Sequence, residues 1–366
     1  MDSRNPFSTK TEIGSSSKQQ TVIGEDGSSS NQPRPGVTIT NQCTKDTYLL
    51  IVKIGSFSNG RCPVYKALFS RNKPRSNGPV PRGYVSLKII DMKLHRNEFK
   101  LIQHQLQTHL YLPECPKIIR SKKTFFASNL LCVSFPYMSE GSLRSILSTR
   151  PEKKLPEHLI PVVLKQVLIG LRDEIHDFCR PTVHKSLNAG DIFVNINDDT
   201  NEVSINLAFE LSVYDSGSPF EQGSLYLNPN NISMWGAAPE VFGSENEDNR
   251  GEKSDMWLLG ITALELVYGN LPVKNRTDLN YIINKLREKK KFPKSLEKMI
   301  IKRDNKLKKV MDLVKRKKRV FSREFEEMVL SCLRENPDDR PTAFELLNTP
   351  FFNDFEKFKQ FVLIDQ

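Results

Sequence analysis

Residues 184–191 read His-Lys-Ser-Leu-Asn-Ala-Gly-Asp, a polar run whose residue types limit what it can do. Ser186 cannot act as a carboxylate base, because a hydroxyl keeps its proton at neutral pH. Asp191 is the run's one carboxylate, a group suited to holding a cation. Two further features point to phosphate. Gly55 and Gly60 follow Ile54 and enclose Ser-Phe-Ser-Asn, and glycine lets a backbone approach phosphate with no Cβ in the way. Phe57 sits inside that stretch and weakens the signal. Lys88 ends the run Val85-Ser86-Leu87-Lys88, where it offers an ammonium; taken alone, a lysine at a strand end is a routine surface residue.

The elements that must position these groups divide into two kinds. A strand-like run begins near Tyr48, a second strand lies around Val64–Ala67, and 70–83 reads as a Pro/Gly-rich loop. Val85–Ile90 and Leu130–Phe135 read as further strands, with a helical pattern over 98–110 between them. Pro136-Tyr137-Met138 is a natural connector. Beyond it the pattern turns helical over Leu159–Cys179 and after Ser254, Leu279, Ser322 and Ala343, with two short strands following residue 191. Strands first and helices later predict an α+β protein with a small sheet-bearing lobe and a larger helical lobe. The boundaries are 46–138 and 139–353, with a disordered Ser/Asn/Gln-rich tail over 1–45 and a short tail over 354–366.

The bulk numbers narrow the class. A chain of 366 residues, 38% hydrophobic and 27% charged, buries a sizeable core without disulfides. Its six cysteines are scattered with no CxxC pair, and no signal peptide is evident, so reduced thiols and a cytoplasmic or nuclear setting are expected. The longest apolar stretch, Met256–Tyr268, is interrupted by Glu265 and is too short to span a bilayer. The net charge of +11 is concentrated: residues 285–323 hold 18 Lys plus Arg against 4 acidic residues. A solvated face, a dock for an acidic partner and a nuclear-import signal at Lys315–Arg319 are the open readings. No aromatic interleaving or reader motif accompanies the charge, so nucleic acid is not an expected partner. Phe355, Phe358 and Phe361 recur at spacing three, an apolar stripe that packs on the protein's own lobe or docks a partner.

Several stretches together resemble a known family. Val85-Ser86-Leu87-Lys88 is similar to the V-A-I-K strand of protein kinases. Ser254-Asp255-Met256-Trp257-Leu258-Leu259-Gly260 looks like their D-x-W-x-x-G helix, Ala238-Pro239-Glu240 their A-P-E motif and Asp339-Arg340-Pro341-Thr342 their late D-R-P-T segment. Phe135–Ser142 resembles the hinge of plant Fray-like, sterile-20-like kinases and of STRAD-like pseudokinases. The order and spacing of these motifs, over about 46–353, carry the resemblance.

The resemblance implies roles, and it implies losses. His184-Lys185-Ser186 stands at the catalytic H-R-D, so Ser186 replaces the proton-accepting Asp; Asn188 replaces the loop's lysine and Asp191 its metal-holding Asn. Ala208-Phe209-Glu210 stands at D-F-G, with Ala208 where the magnesium carboxylate belongs. Ile54, Gly55, Gly60 and Val64 fall on the phosphate-covering loop. Lys88 is the nucleotide lysine, with Gln105 (or Glu98 in another register) at its partner position. Ser233 is the nearest substitute for the usual activation-segment threonine. His184, Phe209, Glu240, Asp255 and Arg340 are architectural: Glu240 and Arg340 form a buried pair, and Asp255 bonds the catalytic-loop backbone.

The expectation is therefore a catalytically inactive kinase fold acting as allosteric partner or scaffold for an active kinase. Alternatives are a weak or unconventional serine/threonine kinase and an ATP-sensing switch. ATP is the candidate ligand, and magnesium has Asp191 alone to hold it.

Overall fold

The computed structural model describes residues 33–57, 62–72, 80–94, 116–176, 183–197, 200–208, 232–242, 251–269, 271–304 and 320–352. The chain forms two compact units; the chain passes to the larger one at Met138, and the larger one also takes Cys115–Ile118.

The smaller unit is built on an antiparallel sheet. Its strands are β1 (Thr38–Thr40), β2 (Thr47–Phe57), β3 (Cys62–Arg71), β4 (Val80–Asp91), β6 (Lys123–Ala127) and β7 (Leu130–Pro136); β5 (Ile118–Ile119) lies elsewhere. The order is β1-β2-β3-β4-β7-β6. Alternate residues of β4 serve opposite faces, as a pleated strand requires. Leu87 and Ile89 join Tyr48, Tyr65, Phe125 and Cys132 in one apolar cluster, while Ile90 joins Cys62, Leu131 and Val133 in another. Tyr48 stacks on Phe125 with ring centroids 4.9 Å apart.

The larger unit contains β8 (Gly141–Ser142), β9 (Ile192–Ile196) and β10 (Val203–Ala208), in a small sheet ordered β5-β10-β9-β8. Its helices are α1 (Leu143–Thr149), α2 (Ile160–Gly170), α3 (Ile232–Trp235), α4 (Glu252–Tyr268), α5 (Arg276–Lys289), α6 (Glu297–Asp304), α7 (Arg323–Cys332) and α8 (Ala343–Leu347). Helix α4 is buried at every position from Ser254 to Val267, so it is the core helix of the unit. A Cβ added at Gly260 would lie 2.9 Å from Leu333 Cγ, which shows how closely α4 meets the end of α7. Helices α5, α7 and α8 start where a side chain can take an orphan amide: Asn275, Ser322 and Thr342 cap them, the last in a reciprocal capping box with Glu345.

Four expectations are corrected. Residues 33–45 are not wholly tail: β1 pairs with β2 through Thr38–Leu49 to Thr40–Thr47, and Ile39 is buried. The Pro/Gly-rich segment 70–83 is not wholly loop: residues 70–71 end β3 and residues 80–83 begin β4. Residues 80–84 pair only with β3, because pairing to β7 begins at Val85; Pro81 therefore sits where one side of the strand has no ladder to donate to. Gly83, at φ 119°, lies opposite Phe69 beside a register shift and takes a conformation that a Cβ would strain. The helix expected over Leu159–Cys179 is a 3₁₀ turn (157–159), then α2, then a π turn over Leu171–His176. The helix expected after Leu279 begins earlier, at Arg276. The expected helix over 98–110 and the stripe at Phe355, Phe358 and Phe361 lie outside the described residues. Among the described residues no helix is long and apolar enough to cross a membrane.

Candidate functional site

In the smaller unit, strand register gathers the phosphate candidates. Gly55 pairs with Val64, Val64 with Lys88, and Lys88 with Val133, giving one row across β2, β3, β4 and β7. Directly paired residues share a face, so the Lys88 side chain lies on the face of Val64 and Val133. It is almost completely buried, at 1% exposure. A buried ammonium is held only where polar groups receive it, so Lys88 is a placed group and not a surface lysine. Ile54 is outside the row: the register slips between Lys53 and Gly55, and Ile54 is skipped at 45% exposure. Gly60, Gln105 and Glu98 lie outside the described residues.

The same face carries a cluster that the sequence reading missed. Lys66 pairs with Ser86. Its ammonium lies 4.2 Å from the Tyr84 ring centroid and 4.5 Å from that of Tyr137. The rings themselves stand 6.2 Å apart, edge to face. No local signal marks this trio, because Tyr84 lies on β4 and Tyr137 just past the end of β7, far apart in sequence.

In the larger unit, loop 183–191 hangs on one buried carboxylate. Asp255, on the first turn of α4, accepts hydrogen bonds from the His184 amide (2.7 Å), the Lys185 amide (2.9 Å) and His176 Nε2 (3.0 Å). Lys185 adopts φ 71°, a left-handed conformation costly for a residue with a side chain; the bond to Asp255 holds it there. His184 has one tautomer available. Its Nδ1 accepts from the Ser186 amide at 3.4 Å, so Nε2 carries the proton and donates to the Ala208 carbonyl at 2.8 Å. Burial lowers the His184 pKa below the ordinary imidazole value. Ala208 is tied at both backbone groups, since its amide donates to the Asp191 carbonyl at 2.7 Å.

The second half of the loop is a brace. Asn188 Nδ2 donates to Asp191 Oδ2 and to the Ser186 carbonyl, both at 2.6 Å. Asn188 Oδ1 accepts from Arg144 Nη2 (2.7 Å) and the Gly190 amide (2.8 Å). Arg144, on α1, reaches Glu265 Oε1 through Nε at 2.9 Å and Nη2 at 2.8 Å, and Glu265 Oε2 accepts from the Ala189 amide at 3.0 Å. Both Asn188 and Glu265 are buried. Arg144 and Glu265 had no place among the sequence candidates, although a charge within the apolar run of α4 was visible.

Among the remaining architectural candidates, Glu240 and Arg340 are paired. Buried Arg340 forks onto the half-buried Glu240: Nη1 donates to Oε1 at 2.6 Å and Nη2 to Oε2 at 2.8 Å. Its remaining bonds go to the carbonyls of Arg334, Lys253 and Glu335, and its guanidinium lies 5.0 Å from the Trp257 ring centroid. Phe209, Glu210 and the side chain of Ser233 lie outside the described residues.

With this geometry in place, comparison with known proteins decides the family. Residues 81–352 match the protein kinase domain family. The chain belongs to the protein kinase family. The match begins at Pro81, after the strands that carry Gly55 and Val64. This kinase-family chain is 28% identical to a chicken (Gallus gallus) protein, STE20-related kinase adapter protein alpha, over 75% of this chain and 74% of that one. It is 27% identical to the human (Homo sapiens) form over 75% and 67%. It is 23% identical to mitogen-activated protein kinase kinase 1 of Arabidopsis thaliana over 88% and 79%. The crystal structure of Rad53 1-466 in complex with AMP-PNP shares the fold, with TM-score 0.54 and 19% identity over 83% of this chain and 65% of that one.

The site residues fit parts of a nucleotide complex unequally. Lys88 is buried on the face it shares with Val64, and its ammonium has the charge a phosphate group would need. On the cation side, Asp191 is the carboxylate of the loop, and its Oδ2 is already engaged by the Asn188 amide.

Proposed function

We propose that this chain is a kinase-fold protein that has given up phosphoryl transfer and acts by binding another protein, with a nucleotide-binding lysine retained. The observation that carries the reading is the hydrogen-bond network of loop 184–191. Ser186 offers a hydroxyl where the family places its proton acceptor. Asn188 and Asp191, at positions the family gives to phosphate and metal, are spent on each other and on Arg144. Losing a general base alone removes about 10²- to 10⁴-fold in rate, and losing metal-directed charge stabilisation removes the principal term in a reaction that is mostly positioning. The relatives at 27–28% identity are named kinase adapters, which supports a protein partner, an active kinase or a scaffold being the plain choice. An acidic partner suits the basic stretch 285–323.

ATP is the ligand the small unit favours, held through Lys88 with Gly55 and Val64 in its row, and Asp191 is the residue that would hold magnesium. A weakly active serine/threonine kinase is the second reading. It is favoured by the retained Lys88 and by the likeness to mitogen-activated protein kinase kinase 1.

One set of measurements separates the two. The adapter reading expects no phosphate incorporation above that of Lys88→Ala, and gain of turnover only when Ser186→Asp and Ala208→Asp are combined. Incorporation by the native chain that disappears in Lys88→Ala would reject it. Thermal shift with ATP tests the ligand separately, since a ligand at about 100 times its Kd stabilises by ~2.7 kcal/mol.

A further inference from the structure

Among the described residues, the cations that lie against aromatic rings also reach an oxygen of the chain, with one exception. Lys123 shows the complete arrangement: its ammonium lies 4.8 Å from the Phe69 ring centroid and meets the Asp46 carboxylate at 2.7 Å. Arg287 and Arg340 lie against Trp257 and pair with Glu335 and Glu240. Lys285 joins Tyr281 to Glu288, and Arg276 lies over Phe242 and donates to the carbonyls of Trp235 and Ala237. Lys66 has rings alone. Its ammonium stands 4.2 and 4.5 Å from the Tyr84 and Tyr137 centroids, and no oxygen of the described residues receives it. A ring face attracts an ammonium but takes none of its three hydrogen bonds at full strength. Lys66 is therefore aimed and held without an anion from its own chain.

Its place in the sheet opens it to a partner. Lys66 pairs with Val52 and Ser86, and Leu68, two residues on, pairs with Tyr84. At the other end of this face Ile90, Leu131 and Val133 are buried, whereas Val52 is 47% and Tyr84 53% exposed. Large apolar side chains grouped at a surface mark an interaction site. The charge nearby is one-sided as well. The carboxylates among the described residues of the smaller unit are Asp46 and Asp91, both buried and both engaged, by Lys123 and by the Lys93 amide. Lys53, Arg71 and Arg82 are exposed. A surface with this balance draws in and orients an acidic partner, and its apolar side chains favour a segment with a bulky apolar residue beside the carboxylate.

We propose that Lys66, with Val52, Leu68 and Tyr84, is the dock for an acidic segment of a partner protein. A carboxylate of that segment takes the Lys66 ammonium as Asp46 takes that of Lys123, and an adjacent apolar side chain covers Val52 and Leu68. The inference rests on the adapter reading only in that the partner is a protein, and it uses neither Lys88 nor the stretch 285–323.

The test selects binders to the full chain from a random dodecapeptide library and measures their affinities by fluorescence anisotropy. Selected peptides should carry Asp or Glu beside a bulky apolar residue. Lys66→Gln should weaken them about tenfold, the scale of one charge-assisted hydrogen bond, and Lys66→Arg should keep most of the affinity. Added salt should narrow the gap between the native chain and Lys66→Gln. Val52→Asp, at an exposed position, should weaken the same peptides by repulsion, so the outcome does not hang on one variant folding. Selection with no acidic preference overturns the proposal, as do acidic peptides that bind both variants as tightly as the native chain. ATP that displaces the peptides and itself binds Lys66→Gln more weakly assigns the ammonium to a nucleotide and overturns it too. Phosphate incorporation tests the adapter reading separately, so the two can fail independently.

Discussion

Asn188 donates its amide to the Asp191 carboxylate at 2.6 Å, and the same side chain accepts from Arg144 at 2.7 Å. On the reading proposed above, both residues stand at positions that kinases give to phosphate and metal; here each completes the other. Arg144 is held in turn by Glu265, which also receives the Ala189 amide. The loop is fixed by an internal polar chain, and that chain determines what substitutions do.

Restoring a kinase-like lysine by Asn188→Lys should destabilise this protein. The lysine would place a second cation beside Arg144 and remove the acceptor used by Arg144 and the Gly190 amide. Leaving a buried donor unsatisfied costs about 1–3 kcal/mol, so a loss of ~2–4 kcal/mol is expected in urea unfolding. Adding Arg144→Ala to the lysine variant should recover part of it. A variant as stable as the native chain would show that the brace carries no energy.

Asp255→Ala should be more severe. It strips the acceptor from two loop amides and from His176 in a site with no solvent access. The expected loss is about 3–5 kcal/mol, the scale of breaking a buried charged network. Asp255→Asn should fall between, since one oxygen still accepts. The check is the denaturation midpoint together with exchange at the amides of 184 and 185, which should open before those of α2.

Much of this was legible in the sequence, and the reasons differ by residue. Asp255 and the Glu240–Arg340 pair could be anticipated because they belong to motifs of fixed spacing, where a buried charge must find a known partner. Lys88 could be placed because a short apolar strand precedes it. The Asn188 brace could not be read, because its partners lie 44 residues away at Arg144 and 76 beyond Ala189 at Glu265. Glu265 was visible as a charge interrupting an apolar helix, and burial gives that interruption its meaning: a carboxylate there needs partners. Residues 80–83 misled because proline and glycine argue for a loop only where both strand edges are paired. Here one edge of residues 80–84 is open.

The Glu240–Arg340 fork should discriminate between arginine and lysine. Arg340 spreads its donors over both Glu240 oxygens and three carbonyls, a planar reach that an ammonium cannot reproduce. Arg340→Lys is therefore expected to lose most of what Arg340→Ala loses, about 3–5 kcal/mol. Paired with Glu240→Gln, a double-mutant cycle should return a coupling above ~1 kcal/mol. Full stability of Arg340→Lys would mean that charge alone, and not the fork, is what the site needs.

Stability should also fall on mild acidification through His184. Its folded pKa is lowered, chiefly by burial, so the folded chain holds a neutral ring over a range in which the unfolded chain already binds a proton. Where the unfolded state binds more protons, stability rises with pH. The contribution is thus fully present above the unfolded value of about 6.5, and it is lost as pH falls from there toward the depressed folded value. Protonation has a structural meaning as well: Nδ1 could no longer accept from the Ser186 amide, while Nε2 would keep its bond to Ala208. Unfolding free energy measured from pH 7.5 down to 5 should therefore decline below about 6.5. In His184→Gln, itself less stable, the decline should be shallower. A slope that is identical in the two proteins would assign the pH dependence to another group.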